Sequence, residues 1–222
     1  MSGEDILYHN SDRMFNARRN MVIKLEQKGI SSGSVLDAMM KVPRDQFMSE
    51  ALCYRAYDDT SLPIGFGQTI STPSVVATMV QSLRLTGDEK VLEIGSGSGY
   101  QAAVLAELAG EVTAMERIFE LAERSHIVLN SLGYSNVKVI NGDNFNDIDS
   151  VFDRIIVSAG VRIFPADLLA KLNDGGILVI PVDESGKNHQ IKRYVKKGET
   201  GFFEEIIGRA TFVPYIMNEK IV

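Results

Sequence analysis

A chain of 222 residues with 45% apolar residues can bury a sizeable core, so one domain, or one domain with an extension, is expected. The net charge of −6 argues against broad phosphate-backbone binding, and no stretch reaches the ~18 apolar residues of a membrane span, so neither a nucleic-acid nor a membrane partner is expected. One cysteine, Cys53, rules out an intrachain disulfide, and His9, His126 and His189 show no metal-ligand spacing.

Met1 to Asn10 carries acids and no apolar core, so no signal peptide is expected and the cytoplasm is the expected location. In chain order, Ser11 can cap a helix whose apolar stripe includes Met14, Ala17, Met21 and Leu25, with Gly29 to end it. Ser34 can cap a shorter helix through Met40, stopped near Pro43. Ala56 to Ser71 is too rich in Gly and Pro for a helix and does not alternate like a strand. Pro73, with Thr72 or Ser71 as cap, opens a third helix through Leu83. An alternating strand–helix core then spans about Lys90 to Val182. Its strands read as Val91–Ile94, Gly110–Glu116, Val137–Ile140, Phe152–Ser158 and Gly175–Pro181. Gln190–Lys196 and Glu204–Tyr215 read as two closing strands of undecided order, joined by a turn over Gly198–Gly201.

The most informative run is Val91-Leu92-Glu93-Ile94-Gly95-Ser96-Gly97-Ser98-Gly99-Tyr100. A buried strand leads into glycines, where the backbone can turn sharply and approach a ligand with no Cβ in the way. Strong helix formers follow from Gln101 to Leu108. Tyr100 stands where the dinucleotide fingerprint needs its third glycine, and no lysine closes a phosphate loop. Acid-x-Gly-x-Gly-x-Gly instead resembles the first motif of the class I methyltransferases that use S-adenosylmethionine. Glu93 could attract the cationic methionine part of that cofactor. Glu116 ends the second strand roughly 20 residues on, where a carboxylate can accept bonds from both ribose hydroxyls. Asp143, after Asn141-Gly142, could receive an adenine amine.

Leu62-Pro63-Ile64-Gly65-Phe66-Gly67-Gln68-Thr69-Ile70-Ser71-Thr72-Pro73 closely resembles the signature loop of the protein-L-isoaspartate O-methyltransferases. The likeness continues through Val91–Ala106, Phe152–Val157 and Phe212-Val213-Pro214, covering roughly Val42 to Tyr215. The resemblance implies an α/β, Rossmann-like class I methyltransferase fold: a mostly parallel seven-stranded sheet, helices on both faces and an N-terminal helical extension. It implies two parts in one compact unit, 1–83 with the covering loop and 84–222 as the cofactor-binding core. The cofactor would be S-adenosylmethionine, its product S-adenosylhomocysteine, with no metal. The acceptor would be the free carboxylate of isoaspartyl residues in damaged proteins. Separately from the resemblance, a monomer is the expected state.

By position, Ser71 matches the residue treated as catalytic. Thr69, Ile70, Ser71, Glu93, Gly95, Ser96, Gly97, Gly99, Glu116, Gly142 and Asp143 match the cofactor side, and Ile64, Gly65, Gln68, Val213 and Pro214 the substrate side. A carboxylate acceptor is already ionised at neutral pH and needs no general base, which agrees with a signature loop free of His. In the family the resulting methyl ester collapses to a succinimide that hydrolyses partly to normal aspartate. Two segments depart from the family pattern: Asn144–Ile148, where Gly and Trp are usual, and Ser158–Arg162, where the family favours Thr-Ala-Ala-Ala-Pro. Two alternatives therefore stay open: a related methyltransferase with another acceptor, nucleic acid included, and a cofactor-binding relative without isoaspartyl activity.

Overall fold

Alternation within the apolar runs decides which face of the sheet each residue serves. In a computed structural model, which describes residues 3–183, 188–198, 201–217 and 220–221 (only the backbone of 3–11 and 220–221), the central strands of that sheet are buried on both faces. The elements are α1 (Gly3–Gln27), α2 (Gly33–Lys41), β1 (Leu62–Gly65), β2 (Gln68–Ile70), α3 (Pro73–Ser82) and β3 (Lys90–Ile94). They continue with α4 (Tyr100–Ala106), β4 (Glu111–Glu116), α5 (Phe119–Ser131), β5 (Val137–Asn141) and β6 (Phe152–Val157). The chain closes through α6 (Asp167–Ala170), β7 (Leu172–Asp183), β8 (His189–Lys197) and β9 (Gly201–Ala210). Val91, Ile156 and Val179 pack with residues of α1 to α5 on one face. Their neighbours Leu92, Ile155 and Leu178 face the other way, against Leu168 of α6 and against Phe145 and Tyr215. A period-2 strand buried on both sides needs this uninterrupted apolar composition.

The sheet order is β5-β4-β3-β6-β7-β8-β9. The first five strands are parallel; β8 and β9 fold back antiparallel as a meander from β7. This settles the order of the closing strands, which the sequence leaves undecided. The chain steps outward from β3 to β5 and returns beside β3 as β6. The topological switch therefore lies between the carboxyl ends of β3 and β6, where open α/β sheets bind their ligands.

Several local expectations shift. Ser11 lies inside α1 and does not start it, because no Pro or Gly after Gly3 interrupts the helix. Met21 and Leu25 are buried as expected, and the Ile30 amide returns to the Leu25 carbonyl to close the end at Gly29. The cap of α2 is Ser32 and not Ser34, since its Oγ accepts from Val35 N–H. Thr72, not Ser71, caps α3 by accepting from Val75 N–H at 3.2 Å. The segment without strand alternation contains a small antiparallel hairpin, β1–β2, with Leu62 opposite Ile70. Its strands are too short for alternation to register, and Pro63 and Gly65 mask the rest. The last long strand ends at Ala210 and not Tyr215; in the stretch 211–215 Pro214 makes a bridge to Gly160, and Ile216–Met217 pairs with Lys220–Ile221 further on. The expected turn over 198–201 includes positions 199–200, outside the described residues.

Candidate cofactor and acceptor site

The loop after β3 turns on glycines at positive φ: Gly95, Gly97 and Gly99 at 80°, 54° and 86°. Two of them also answer to close packing. A Cβ on Gly97 would lie 3.2 Å from Ile64 Cδ1 of the hairpin, and one on Gly99 would lie 3.0 Å from Ser125 Cβ of α5. Gly99 thus joins the loop to α5, while Gly97 lets the hairpin lie down on the loop.

The expected acids converge here. Glu116 is 6% exposed; its Oε2 accepts from Gly97 N–H and its Oε1 from Ile118 N–H, both at 2.9 Å. That carboxylate therefore shapes the glycine loop itself. Glu93 is buried inside β3. Its Oε1 accepts from Gln101 Nε2 at 2.9 Å and from the Ser158 hydroxyl at 3.4 Å. Gln101 donates as well to Ser158 Oγ, at 2.8 Å. The other oxygen, Glu93 Oε2, is buried with no hydrogen-bond partner among the described residues, as is Ser96 Oγ. Burial pushes the Glu93 carboxyl up to about 8; the bonds from Gln101 and Ser158 oppose that shift, and the Glu116 charge adds to it. Asp143 follows β5, with its carbonyl accepting from the Tyr215 hydroxyl at 3.3 Å.

Three connected hollows meet at this point. A cleft of about 530 Å³ is lined by Gln68, Thr69, Gly95, Gly97, Glu116, Gly142, Asp143, Val213 and Pro214, among others. An inner cleft of about 340 Å³ reaches Thr69, Ile70, Ser71, Glu93, Gly95, Ser96 and Gly97. An outer groove of about 560 Å³ runs past Ser61, Thr69, Ser71, Thr72, Ser158, Phe212 and Val213. Thr69, Ser71 and Ser158 line both the inner cleft and the outer groove. The Ser71 hydroxyl has no hydrogen-bond partner among the described residues, and its carbonyl accepts from Arg44 Nη2. Three of the expected site residues line none of these three hollows. Gly99 packs on α5, Ile64 is buried under Gly97, and Gly65 starts the hairpin turn facing Arg124. The turn places Phe66 at φ 54° with its ring exposed, a backbone state that favours glycine.

Both departing segments are anchored from within. Phe145, 1% exposed, fills the core beneath the Asn144–Ile148 segment. Gly160 donates to the Val213 carbonyl and accepts from Tyr215 N–H, each at 2.8 Å. A Cβ there would fall 1.9 Å from His189 Nε2, so the His189 ring takes the place of the alanine methyl of the family pattern. Sequence reasoning missed Gln101, Arg44 and Tyr215 as site neighbours. Gln101 lies in the glycine-motif run and Ser158 opens a departing segment; what joins them is a sheet crossing between positions 57 residues apart.

A switch-point site with a glycine turn, a strand-end acid and a buried acid, under a covering hairpin, defines a Rossmann-like nucleoside-cofactor methyltransferase of class I. The protein-L-isoaspartate(D-aspartate) O-methyltransferase family model matches residues 16–220. A Photorhabdus laumondii protein-L-isoaspartate O-methyltransferase is 43% identical over 205 residues, 91% of this chain and 97% of the relative. A second relative of that name, from Geotalea uraniireducens, is 49% identical over 188 residues, 83% of this chain and 86% of its own. The chain belongs to the protein-L-isoaspartate O-methyltransferase family. A Plasmodium falciparum structure, solved in complex with S-adenosyl-L-homocysteine, shares the fold at a TM-score of 0.79 and 23% identity, over 90% of this chain and 99% of its own.

Proposed function

We propose that this chain methylates the free carboxylate of isoaspartyl residues in proteins, with S-adenosylmethionine as donor. The observation that carries the reading is the position of Ser71: a hydroxyl without a hydrogen-bond partner among the described residues, shared by the inner cleft and the outer groove. The residues fit the cofactor. Glu93 Oε2 is a buried oxygen without a partner among the described residues, which suits a cationic group, and the Glu116 carboxylate keeps lone pairs for ribose hydroxyls. Glu93, Ser96, Gly95 and Gly97 would hold the amino-acid arm, Glu116 the ribose, and Asp143 with Gly142 the base. When bound, the cofactor supplies an electrophilic methyl group on a sulfonium.

The chain's own part is positioning. Ser71 donates a hydrogen bond to the acceptor carboxylate arriving through the outer groove and orients it toward the inner cleft. Thr69 and Ile70 of the hairpin close over the boundary and keep water out. Such positioning can be worth ~7–11 kcal/mol of barrier. Val213 and Pro214, tied to Gly160, line the same cleft as Gln68 of the hairpin. On this reading the segment 1–83 covers the site and 84–222 holds the cofactor. The enzyme works as a cytoplasmic monomer with no nucleic-acid or membrane partner. Among the described residues no helix is long and apolar enough to cross a membrane.

The test is transfer of labelled methyl groups to an isoaspartyl peptide beside its normal aspartyl control. Base-labile label on the first alone is expected. Label on nucleic acid with none on peptide would transfer the assignment to the first alternative acceptor class.

A further inference from the structure

Arg44 opens a short 3-10 turn after Pro43 and is fully buried, rare for so large a cation. Its partners are carbonyls from distant parts of the chain. Nε donates to the Ala56 carbonyl at 2.8 Å and Nη2 to the Ser71 carbonyl at 2.6 Å. Those two residues bound the whole covering segment, hairpin included. The same guanidinium stacks on Tyr100, with Cζ 4.6 Å from the ring centroid. Tyr100 is the first residue of α4, directly after Gly99, and Phe47 packs edge-on against it at 5.7 Å.

We infer that Arg44 is a positioning residue: one buried guanidinium clamps both ends of the covering segment against the helix behind the glycine loop, and so sets where Ser71 stands. The planar fork suits the task, because it offers donors at fixed angles to two carbonyls while its face lies on a ring. A lysine offers one compact ammonium and cannot reproduce that geometry. An apolar side chain of similar volume would leave the Ala56 and Ser71 carbonyls without this donor, so the two ends would lose their common anchor. The bond to the Ser71 carbonyl fixes the backbone from which the Ser71 hydroxyl projects. The inference rests on the reading of Ser71 given above.

The test compares Arg44→Lys, Ser71→Ala and the double variant, all in the full chain. Three quantities are read: isoaspartyl turnover, affinity for S-adenosylhomocysteine, and amide hydrogen exchange over residues 56–72. Arg44→Lys should lower kcat about tenfold to a hundredfold, as a misplaced reacting group does, and change cofactor affinity less. Exchange over 56–72 should quicken while that of α5 stays unchanged. In the Ser71→Ala background, Arg44→Lys should cost less than about threefold in kcat, since it acts through Ser71. Additive losses, normal turnover, or unchanged exchange over 56–72 would each overturn the clamp. A wild-type chain without isoaspartyl turnover would sink the acceptor reading, and the exchange measurement would still judge the clamp. If Arg44→Lys does not fold, Tyr100→Leu removes the ring under the guanidinium and takes the same readouts; unchanged exchange over 56–72 there overturns the inference.

Discussion

Burial of Glu93 has a thermodynamic signature that Glu93→Gln should erase. The carboxyl moves from an ordinary 4.5 to about 8 on folding, chiefly because the site removes it from water. Between those two pH values the folded chain holds a proton that the unfolded chain has lost. Stability of the ligand-free protein therefore falls as pH rises through this window, and the loss is complete above about pH 8. At ~1.4 kcal/mol per pH unit, the gap amounts to roughly 5 kcal/mol. Glutamine has nearly the same shape and can still accept from Gln101 Nε2, but it does not ionise. Urea unfolding of both proteins from pH 5 to 9 should give curves that diverge steadily, with the variant gaining several kcal/mol on the wild type by pH 8.5. Other titrating groups cancel in the difference, so parallel curves would refute the burial argument. Binding should show the opposite sign. A cationic ligand beside Glu93 favours the ionised form, so S-adenosylmethionine binding by the wild type should release a proton at pH 7 and strengthen toward pH 8. Calorimetry in buffers of different ionisation enthalpy reads that proton directly.

The caps separate two neighbouring hydroxyls. Thr72→Ala should cost ~0.5–2 kcal/mol in unfolding free energy, since Thr72 caps α3, and Ser71→Ala much less. Ser71→Ala should instead lower kcat about tenfold or more with little change in cofactor affinity; a normal kcat removes Ser71 from the catalytic role. Glu116→Ala frees the Gly97 and Ile118 amides as well as the ribose side, so calorimetry should show cofactor affinity weaker by ~5–150-fold, and unchanged affinity in a folded variant rejects the ribose assignment. Gly160→Ala should cost ~1–3 kcal/mol of stability through its clash with the His189 ring, seen as a lower thermal midpoint. His189→Ala should recover much of that loss in the double variant, and purely additive effects would show that the ring is not what bars a side chain there.

Much of this protein is legible in the chain alone, because its signals are local. The apolar runs at Val91, Val112 and Ile155 read as buried strands since each must cover both faces of one sheet. The glycines at 95, 97 and 99 read as a ligand turn because only a residue without Cβ takes that backbone readily. The acids at strand ends follow from the spacing of one strand–helix–strand repeat. What tertiary structure alone decided depends on pairs distant in sequence. The hairpin at 62–70 escaped because three- and four-residue strands carry no periodicity, and their pairing registers only against each other. The caps of α2 and α3 went to Ser32 and Thr72 because a hydroxyl's reach depends on where the first turn begins, to within a residue. Arg44 follows a proline and carries no local signal of burial. Its burial is fixed by carbonyls 12 and 27 residues away and by a tyrosine on another helix, none of which leaves a trace at position 44. Gly160 is the same lesson in reverse: its missing side chain is explained by a histidine on a strand that only the folded sheet brings beside it.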